Sequence, residues 1–237
     1  MDPIVTGIVA LGSYLIGSFS FSRMAVRLHA PGKNIETIQL PIAGTEKTTT
    51  YKSIGGSAAG IILGPKIGLL VGILDMLKVI LPVLALRLIF GAQPYPLIAT
   101  VGATIGHIWP VYYRFKGGGG YSTIFGGLLV IAPLGAVVCS LGGMIIGLFV
   151  FRNFALLYAL QFFLLIPWMA IQFHEASYVI FAVIVNILFF IPWIPTARAT
   201  FQAGKPDHQP TLREMMQPYP MGKGLIKIAE KVHFNLD

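Results

Sequence analysis

The chain has 237 residues, of which 55% are hydrophobic and only 11% charged, with a formal net charge of +8. Soluble domains carry roughly one quarter charged residues, so too few polar side chains remain here to cover a soluble core. This composition predicts a polytopic membrane protein and excludes disordered, collagen-like and disulfide-rich secreted classes. The only cysteine, Cys139, lies in an apolar run and rules out an intrachain disulfide.

Six long apolar runs locate the membrane crossings, each of which needs about 20 residues. In chain order they cover residues 4–26, 66–90, 95–115, 121–151, 153–173 and 177–194. The fourth run is long enough for one tilted helix, or for a half-helix followed by a full helix. Because no basic region precedes the first run, we expect it to stay in the protein rather than be cleaved as a signal peptide.

The distribution of basic residues predicts the topology. They cluster in three segments: Arg23, Arg27, Lys33, Lys47, Lys52 and Lys66; Arg114 and Lys116; and Arg198, Lys205, Arg213, Lys223, Lys227 and Lys231. The positive-inside rule places all three in the cytoplasm and the N-terminus outside, which requires an odd number of crossings. We therefore predict an all-α membrane protein with about seven transmembrane helices, the seventh drawn from residues 121–173. The excess positive charge then reflects topology, and we expect no nucleic-acid partner.

Two regions follow from this topology: a transmembrane domain over residues 1–196 and a basic cytoplasmic tail over residues 197–237. Within the tail, residues 222–234 place Leu225, Ile228, Ala229 and Val232 on one helical face and lysines towards the other. That pattern is typical of an interfacial helix attracted to anionic lipid.

Small residues recur four apart within the apolar runs, at Gly64/Gly68/Gly72, Gly102/Gly106 and Gly143/Gly147. Such a stripe allows the backbones of neighbouring helices to approach closely. We interpret these glycines as packing positions.

Polar side chains inside apolar runs are costly and are therefore candidates for function. Asp75 and Lys78 are three residues apart, so they share a helix face and can pair, or they contact substrate. His107 is either a hydrogen-bonded link between helices or part of a site. Because no other His, Cys or carboxylate lies at metal-ligand spacing from His107, we expect no metal.

The most distinctive local sequence is RFKGGGGYST, residues 114–123. Consecutive glycines expose backbone N–H groups that can bind an anion, and Ser122 or Thr123 can cap the helix that follows. Arg114 and Lys116 add positive charge, so a phosphate-bearing headgroup would suit this segment. A flexible turn with topological cations is the other interpretation. The polar segment 43–60 is rich in Gly, Ser and Thr. It can close over the pocket that would hold this headgroup, or it can serve as an ordinary connector.

Taken together, three motifs resemble the bacterial acyl-phosphate:glycerol-3-phosphate acyltransferases, the PlsY family. YLIGSFSFSRMAVRL (14–28) is similar to that family's first helix, and LGPKIGLLVGILDMLKV (63–79) to its second, which ends in D-x-x-K-G. GHIWPVYYRFKGGGGYST (106–123) is similar to its signature G-H-x-F-P-x-F-x-x-F-K-G-G-K-G-x-A-T. The resemblance covers roughly residues 10–130 and continues more weakly to the tail.

The resemblance implies transfer of a fatty acyl group from acyl phosphate to glycerol 3-phosphate, giving lysophosphatidate in phospholipid synthesis, in the plasma membrane and without a cofactor. The partners it implies are acyl phosphate, glycerol 3-phosphate or another anionic headgroup, and membrane lipid. The residues that we expect to bind substrate are Ser57, His107, Arg114, Lys116, Gly117, Gly118, Gly119, Gly120, Ser122 and Thr123; no catalytic residue is assigned.

Several positions depart from the family pattern. Tyr51 stands for a serine, Ile61 for an arginine and Gly119 for the lysine of G-G-K-G, and no H-x-x-N pair is found near residues 194–207. Each charge-assisted contact is worth about 1.5–3 kcal/mol, so losing several lowers the rate by orders of magnitude. The alternative is therefore a catalytically inactive relative that binds a lipid headgroup or a partner protein. A transporter has weaker support, because few charges interrupt the apolar runs.

Overall fold

Helices make up most of the regular structure in the computed structural model, which describes residues 1–91, 93–151, 154–195, 198, 202, 210–231, 233 and 236. The helices are α1 (Pro3–Gly17), α2 (Phe21–His29), α3 (Gly56–Leu63), α4 (Pro65–Phe90), α5 (Tyr95–Ile108), α6 (Tyr121–Ile131), α7 (Pro133–Ile145), α8 (Phe154–Phe173), α9 (Ala176–Phe190), α10 (Leu212–Met216) and α11 (Pro220–Lys231). Strands β1 (Gln39–Pro41) and β2 (Thr48–Thr50) form an antiparallel hairpin, with Gln39 opposite Thr50. Single 3₁₀ turns cover Val111–Tyr113 and Ile191–Trp193, and a π-helical turn covers Ile146–Val150.

Four segments are long and apolar enough to cross a membrane: Pro3–His29, Pro65–Phe90, Pro133–Val150 and Ala176–Trp193. Shorter apolar helices cover Tyr121–Ile131 and Ala159–Phe173. These segments confirm the prediction of a helical membrane protein.

Two of the predicted runs are interrupted. The first is divided between α1 and α2 by residues 18–20, and the fourth between α6 and α7 at Ala132. Ala132 precedes Pro133 and is extended in φ (−143°), because the proline ring disfavours the helical conformation of the residue before it. The structure therefore has the second predicted alternative, a half-helix followed by a longer one.

The chain divides into two compact units, and the first comprises residues 1–20 and 73–191. Helices α1 and α5 of this unit run parallel. The amide of Asp2 donates to the Tyr95 hydroxyl (3.1 Å), and the Tyr14 hydroxyl donates to the Trp109 carbonyl (2.9 Å) at the other end. Close packing between them depends on glycine, since a Cβ added to Gly106 would lie 2.1 Å from the carbonyl oxygen of Tyr14. This confirms the packing role predicted for the Gly102/Gly106 stripe.

Successive helices of the first unit alternate in direction. The ring of Phe90 at the end of α4 packs on Tyr95 at the start of α5, with 4.6 Å between ring centroids. Gly135 at the start of α7 packs against Trp168 near the end of α8, and Gly143 against Gln161. The rings of residues 173 and 178 stack where α8 turns into α9. The unit is therefore an up-and-down arrangement of α4 to α9, with α1 parallel to α5.

The second unit comprises residues 21–72 and 192–237. Its small core contains Val26, Ile35, Ile54 and Ala58, and the Ser22 hydroxyl donates to the Ile54 carbonyl (3.2 Å). Arg23 forms an ion pair with Glu36 (2.7 Å) that joins α2 to the loop before β1.

The helix predicted over residues 222–234 is present as α11. Its buried hydrophobic residues are Ile226 and Ala229, while Ile228 is 61% exposed. An exposed Ile228 is compatible with a face that meets lipid, and the interfacial role of this helix stays a prediction. Val232 lies outside the described residues, as do most of residues 194–207.

Candidate functional site

The four glycines fold back onto the end of α5. The amide of Gly118 donates to the His107 carbonyl (2.9 Å). A Cβ at Gly117 would lie 2.1 Å from that same carbonyl oxygen, and a Cβ at Gly118 would lie 2.1 Å from Nε2 of the imidazole. Real Cβ atoms do not approach so closely, so both positions require glycine for this contact. The structure thus brings His107, Gly117 and Gly118 together.

Gly120 and Thr123 connect the glycines to α6. Gly120 has φ +79°, a conformation that favours glycine, and the buried hydroxyl of Thr123 donates to its carbonyl (2.8 Å). No side chain caps α6, so the predicted capping by Ser122 or Thr123 was wrong. Because the Thr123 hydroxyl donates its proton to this carbonyl, it cannot also donate to substrate. The first turn of α6 still carries the positive end of the helix dipole, since no side chain caps it.

The cations Arg114 and Lys116 lie on the exposed turn between α5 and the glycines. Arg114 and Phe115 both have positive φ, 52° and 59°. Non-glycine residues in this region carry strain that often accompanies binding sites. The turn therefore projects two positive charges beside the glycine segment.

A buried polar cluster lies directly behind His107. Nζ of Lys78 is 2.8 Å from Oδ1 of Asp75 and 3.0 Å from Nδ1 of His107, and it donates to the Phe19 carbonyl (2.7 Å). All three side chains are at most 8% exposed. The predicted Asp75–Lys78 pair is confirmed, and His107 connects α4 to α5 through it.

Ser57 lies exposed near the start of α3 in the second unit. Burial raises the pKa of Tyr51 above its ordinary value, and the neighbouring side chains of Ser57 and Ser53 partly oppose that shift. The ring of Tyr51 meets Tyr219 edge-on, with 6.1 Å between centroids, and burial raises the pKa of Tyr219 to about 12. Sequence reasoning missed Tyr219, because nothing in its local pattern links the tail to segment 43–60.

Metal ligands do not cluster in the part of the chain that the structure describes, where no three His, Cys, Asp or Glu side chains lie close enough to hold an ion. The groups that lie in and beside the glycine segment are backbone amides, hydroxyls and cations. Such groups bind phosphate oxygens well.

Comparison with known proteins identifies relatives along most of the chain. A family model described as glycerol-3-phosphate acyltransferase matches residues 7–199. "Glycerol-3-phosphate acyltransferase 3" of Dehalococcoides mccartyi is 28% identical over 202 residues, which is 78% of this chain and 87% of that protein. "Glycerol-3-phosphate acyltransferase" of Halalkalibacterium halodurans is 32% identical over 188 residues, 76% of this chain and 84% of its own.

A solved structure shares the fold. The crystal structure of PlsY (YgiH), an integral membrane glycerol 3-phosphate acyltransferase in its glycerol 3-phosphate form, aligns with a TM-score of 0.68. The alignment covers 87% of this chain and 95% of the other at 21% identity. The lysophosphatidic acid form of the same protein aligns with a TM-score of 0.66 at 20% identity.

Proposed function

The chain belongs to the glycerol-3-phosphate acyltransferase family, and we propose that it transfers a fatty acyl group from acyl phosphate to glycerol 3-phosphate. The products are lysophosphatidate and inorganic phosphate. The chain is a multi-pass integral protein of the plasma membrane, where the acyl donor and the lipid product both reside. The observation that carries the proposal is the glycine segment closed against His107, beside an uncapped helix start and two cations.

In this reaction a hydroxyl oxygen of glycerol 3-phosphate attacks the acyl carbonyl carbon, and the bond from that carbon to the phosphate oxygen breaks. The hydroxyl proton leaves with the phosphate. Because acyl phosphate is already activated, catalysis reduces to holding the two substrates in line and neutralising phosphate charge. Backbone amides of the glycine segment and the first turn of α6 supply aligned dipoles, and Arg114 and Lys116 supply full charges.

We propose that the substrate phosphates bind at the residues predicted from the sequence: Ser57, His107, Arg114, Lys116, Gly117, Gly118, Gly119, Gly120, Ser122 and Thr123. The packing of His107 against Gly117 and Gly118 supports a fixed conformation of this segment. Because the Gly118 amide already donates to the His107 carbonyl, Gly118 serves the site through that conformation. Thr123 is fully buried and serves it through the backbone of Gly120. Ser57 is included as a prediction from the sequence, and its side chain neighbours that of Tyr51 in the second unit.

We further propose seven crossings, with the N-terminus outside and the C-terminal tail in the cytoplasm. The alternating directions within the first unit support this count, since α1 and α4 to α9 traverse it seven times. Asp2 lies at the end opposite Arg114 and Lys116, which the positive-inside rule assigns to the cytoplasm. The division at residue 196 into a transmembrane domain and a basic tail with an interfacial helix belongs to the same proposal.

The proposed acyl transfer is tested by adding palmitoyl phosphate and labelled glycerol 3-phosphate to membranes that contain the protein. We expect labelled lysophosphatidate well above a vector control, and none when palmitoyl-CoA replaces the acyl phosphate. Absence of product from the natural chain would overturn the proposal.

A companion variant tests the departures from the family pattern. It carries Gly119→Lys, Tyr51→Ser and Ile61→Arg. Activity only in this variant would identify the natural chain as an inactive relative that binds a lipid headgroup or a partner protein.

A further inference from the structure

The buried cluster of Asp75, Lys78 and His107 ends at the glycine segment. Nζ of Lys78 contacts Nδ1 of His107, and the opposite nitrogen of the same ring, Nε2, lies against Gly118. A single imidazole therefore separates a buried ammonium from the backbone that we propose binds phosphate. The carbonyl of His107 also accepts a hydrogen bond from the Gly118 amide. His107 therefore holds the glycine segment by both its ring and its carbonyl.

The hydrogen-bond chemistry determines the tautomer of His107. A lysine ammonium has three N–H donors and no acceptor, so Nδ1 accepts from Lys78 when the lysine is charged. The other polar atom near Nδ1, Oδ1 of Asp75, is 3.7 Å away, which is too far for a hydrogen bond. The ring proton of the neutral imidazole then resides on Nε2, the nitrogen that faces the glycine segment. The contacts with the Asp75 carboxylate and the Phe19 carbonyl orient the ammonium for this donation.

Net charge does not explain the arrangement. The carboxylate of Asp75 compensates the ammonium of Lys78 at 2.8 Å, so the cluster presents no excess positive charge to an anion. Asp75 and Lys78 lie on neighbouring turns of α4 and can form their ion pair without a histidine. The contact with His107 therefore fixes orientation.

We propose that Lys78 is a positioning residue: it holds His107 as the Nε2–H tautomer against Gly118 and so keeps the glycine segment in its substrate-binding conformation. The inference rests on the proposed function, because the segment is taken to bind substrate phosphate. It assigns to Lys78 no contact with substrate.

The kinetic test uses the double variant Asp75→Asn/Lys78→Met, which removes both charges together and leaves no unpaired buried ion. We expect the KM for glycerol 3-phosphate to rise about tenfold, the effect of one lost hydrogen bond, with kcat within about threefold. A merely structural role lowers the amount of active enzyme, and hence the apparent kcat, without changing KM. An unchanged KM would overturn the proposal.

Two further variants serve as controls. Asp75→Asn/Lys78→Gln restores a donor near Nδ1 and should recover part of the KM. Arg87→Gln removes a cation from the same helix that instead donates to the carbonyls of Val130 and Ile131, and should leave KM unchanged.

The tautomer is measured independently by ¹⁵N NMR of histidine-labelled protein in micelles, with His107→Gln used to assign the signal. We expect Nε2–H in the natural chain and a tautomer mixture in Asp75→Asn/Lys78→Met. An Nδ1–H tautomer in the natural chain, or no change in the variant, would refute the positioning role. This readout needs no acyl transfer, so an inactive natural chain contradicts the proposed function alone.

Discussion

At position 118 the structure accommodates nothing larger than a hydrogen atom. The Nε2 and Cε1 atoms of His107 would lie 2.1 and 2.8 Å from an added Cβ. Gly117 is restricted in the same way by the backbone of residues 107 and 108, whereas Gly120 is required by its positive φ. Three of the four consecutive glycines thus have separate physical reasons to be glycine.

Gly118→Ala should therefore separate the segment from His107. We expect kcat/KM for glycerol 3-phosphate to fall about 100-fold, since displacements near 1 Å have effects of that size on positioned reactants. Radiometric assay of lysophosphatidate formation measures the change. Gly12→Ala is the matched control, because no heavy atom lies within 4 Å of its added Cβ. A natural rate in Gly118→Ala would contradict the close approach.

Among the elements, α1 and α5 show how small residues replace a hydrophobic driving force in lipid. Cβ atoms at Gly17 and Gly106 would each meet a carbonyl oxygen of the facing helix at 2.1 Å, and one at Gly102 would meet the Ser13 hydroxyl at 2.4 Å. The two helices therefore approach closely at all three glycines, backbone against backbone at Gly17 and Gly106.

Gly106→Ala should push α5 away from Tyr14. Overpacking of this kind costs about 1–3 kcal/mol, which we expect as a lower unfolding midpoint in SDS titrations from mixed micelles. Gly7→Ala, also in an apolar helix but without a neighbour within 4 Å, should stay within about 0.5 kcal/mol of the natural chain. Equal midpoints for both variants would rule out this interface.

The elements and the polar site were predictable to different extents. Spacing alone predicted the Asp75–Lys78 pair, because i and i+3 share a helix face whatever surrounds them. Spacing did not predict the third partner, the Phe19 carbonyl, which reaches Lys78 only because the helix ends near Gly17. The capping prediction at Ser122 and Thr123 failed because the chain turns at Gly120 instead. The Tyr51–Tyr219 contact joins residues distant in sequence, which local patterns cannot reveal.

For the whole molecule, the proposed topology makes opposite ends of the first unit accessible from opposite sides of the membrane. Tyr112, 56% exposed, lies in the turn after α5, and Glu175 is exposed in the turn between α8 and α9. The alternating directions of α6, α7 and α8 place these turns at opposite ends of the first unit.

Single cysteines at these positions test the topology in a Cys139→Ala background. In intact cells a membrane-impermeant maleimide should label Glu175→Cys and leave Tyr112→Cys unlabelled until the membrane is permeabilised. Native Cys139 is only 5% exposed, so the natural chain is a suitable unlabelled control. The reverse labelling pattern would invert the assigned orientation.

The shortness of α5 and α6 has a consequence for the segment that joins them. With 14 and 11 residues, they rise only about 21 and 16 Å, whereas a hydrocarbon core is about 30 Å thick. Under the proposed topology neither helix alone spans that thickness, so the glycine segment that joins them is non-helical backbone close to the hydrocarbon. Backbone of this kind is tolerated at such a depth only where protein or water covers it.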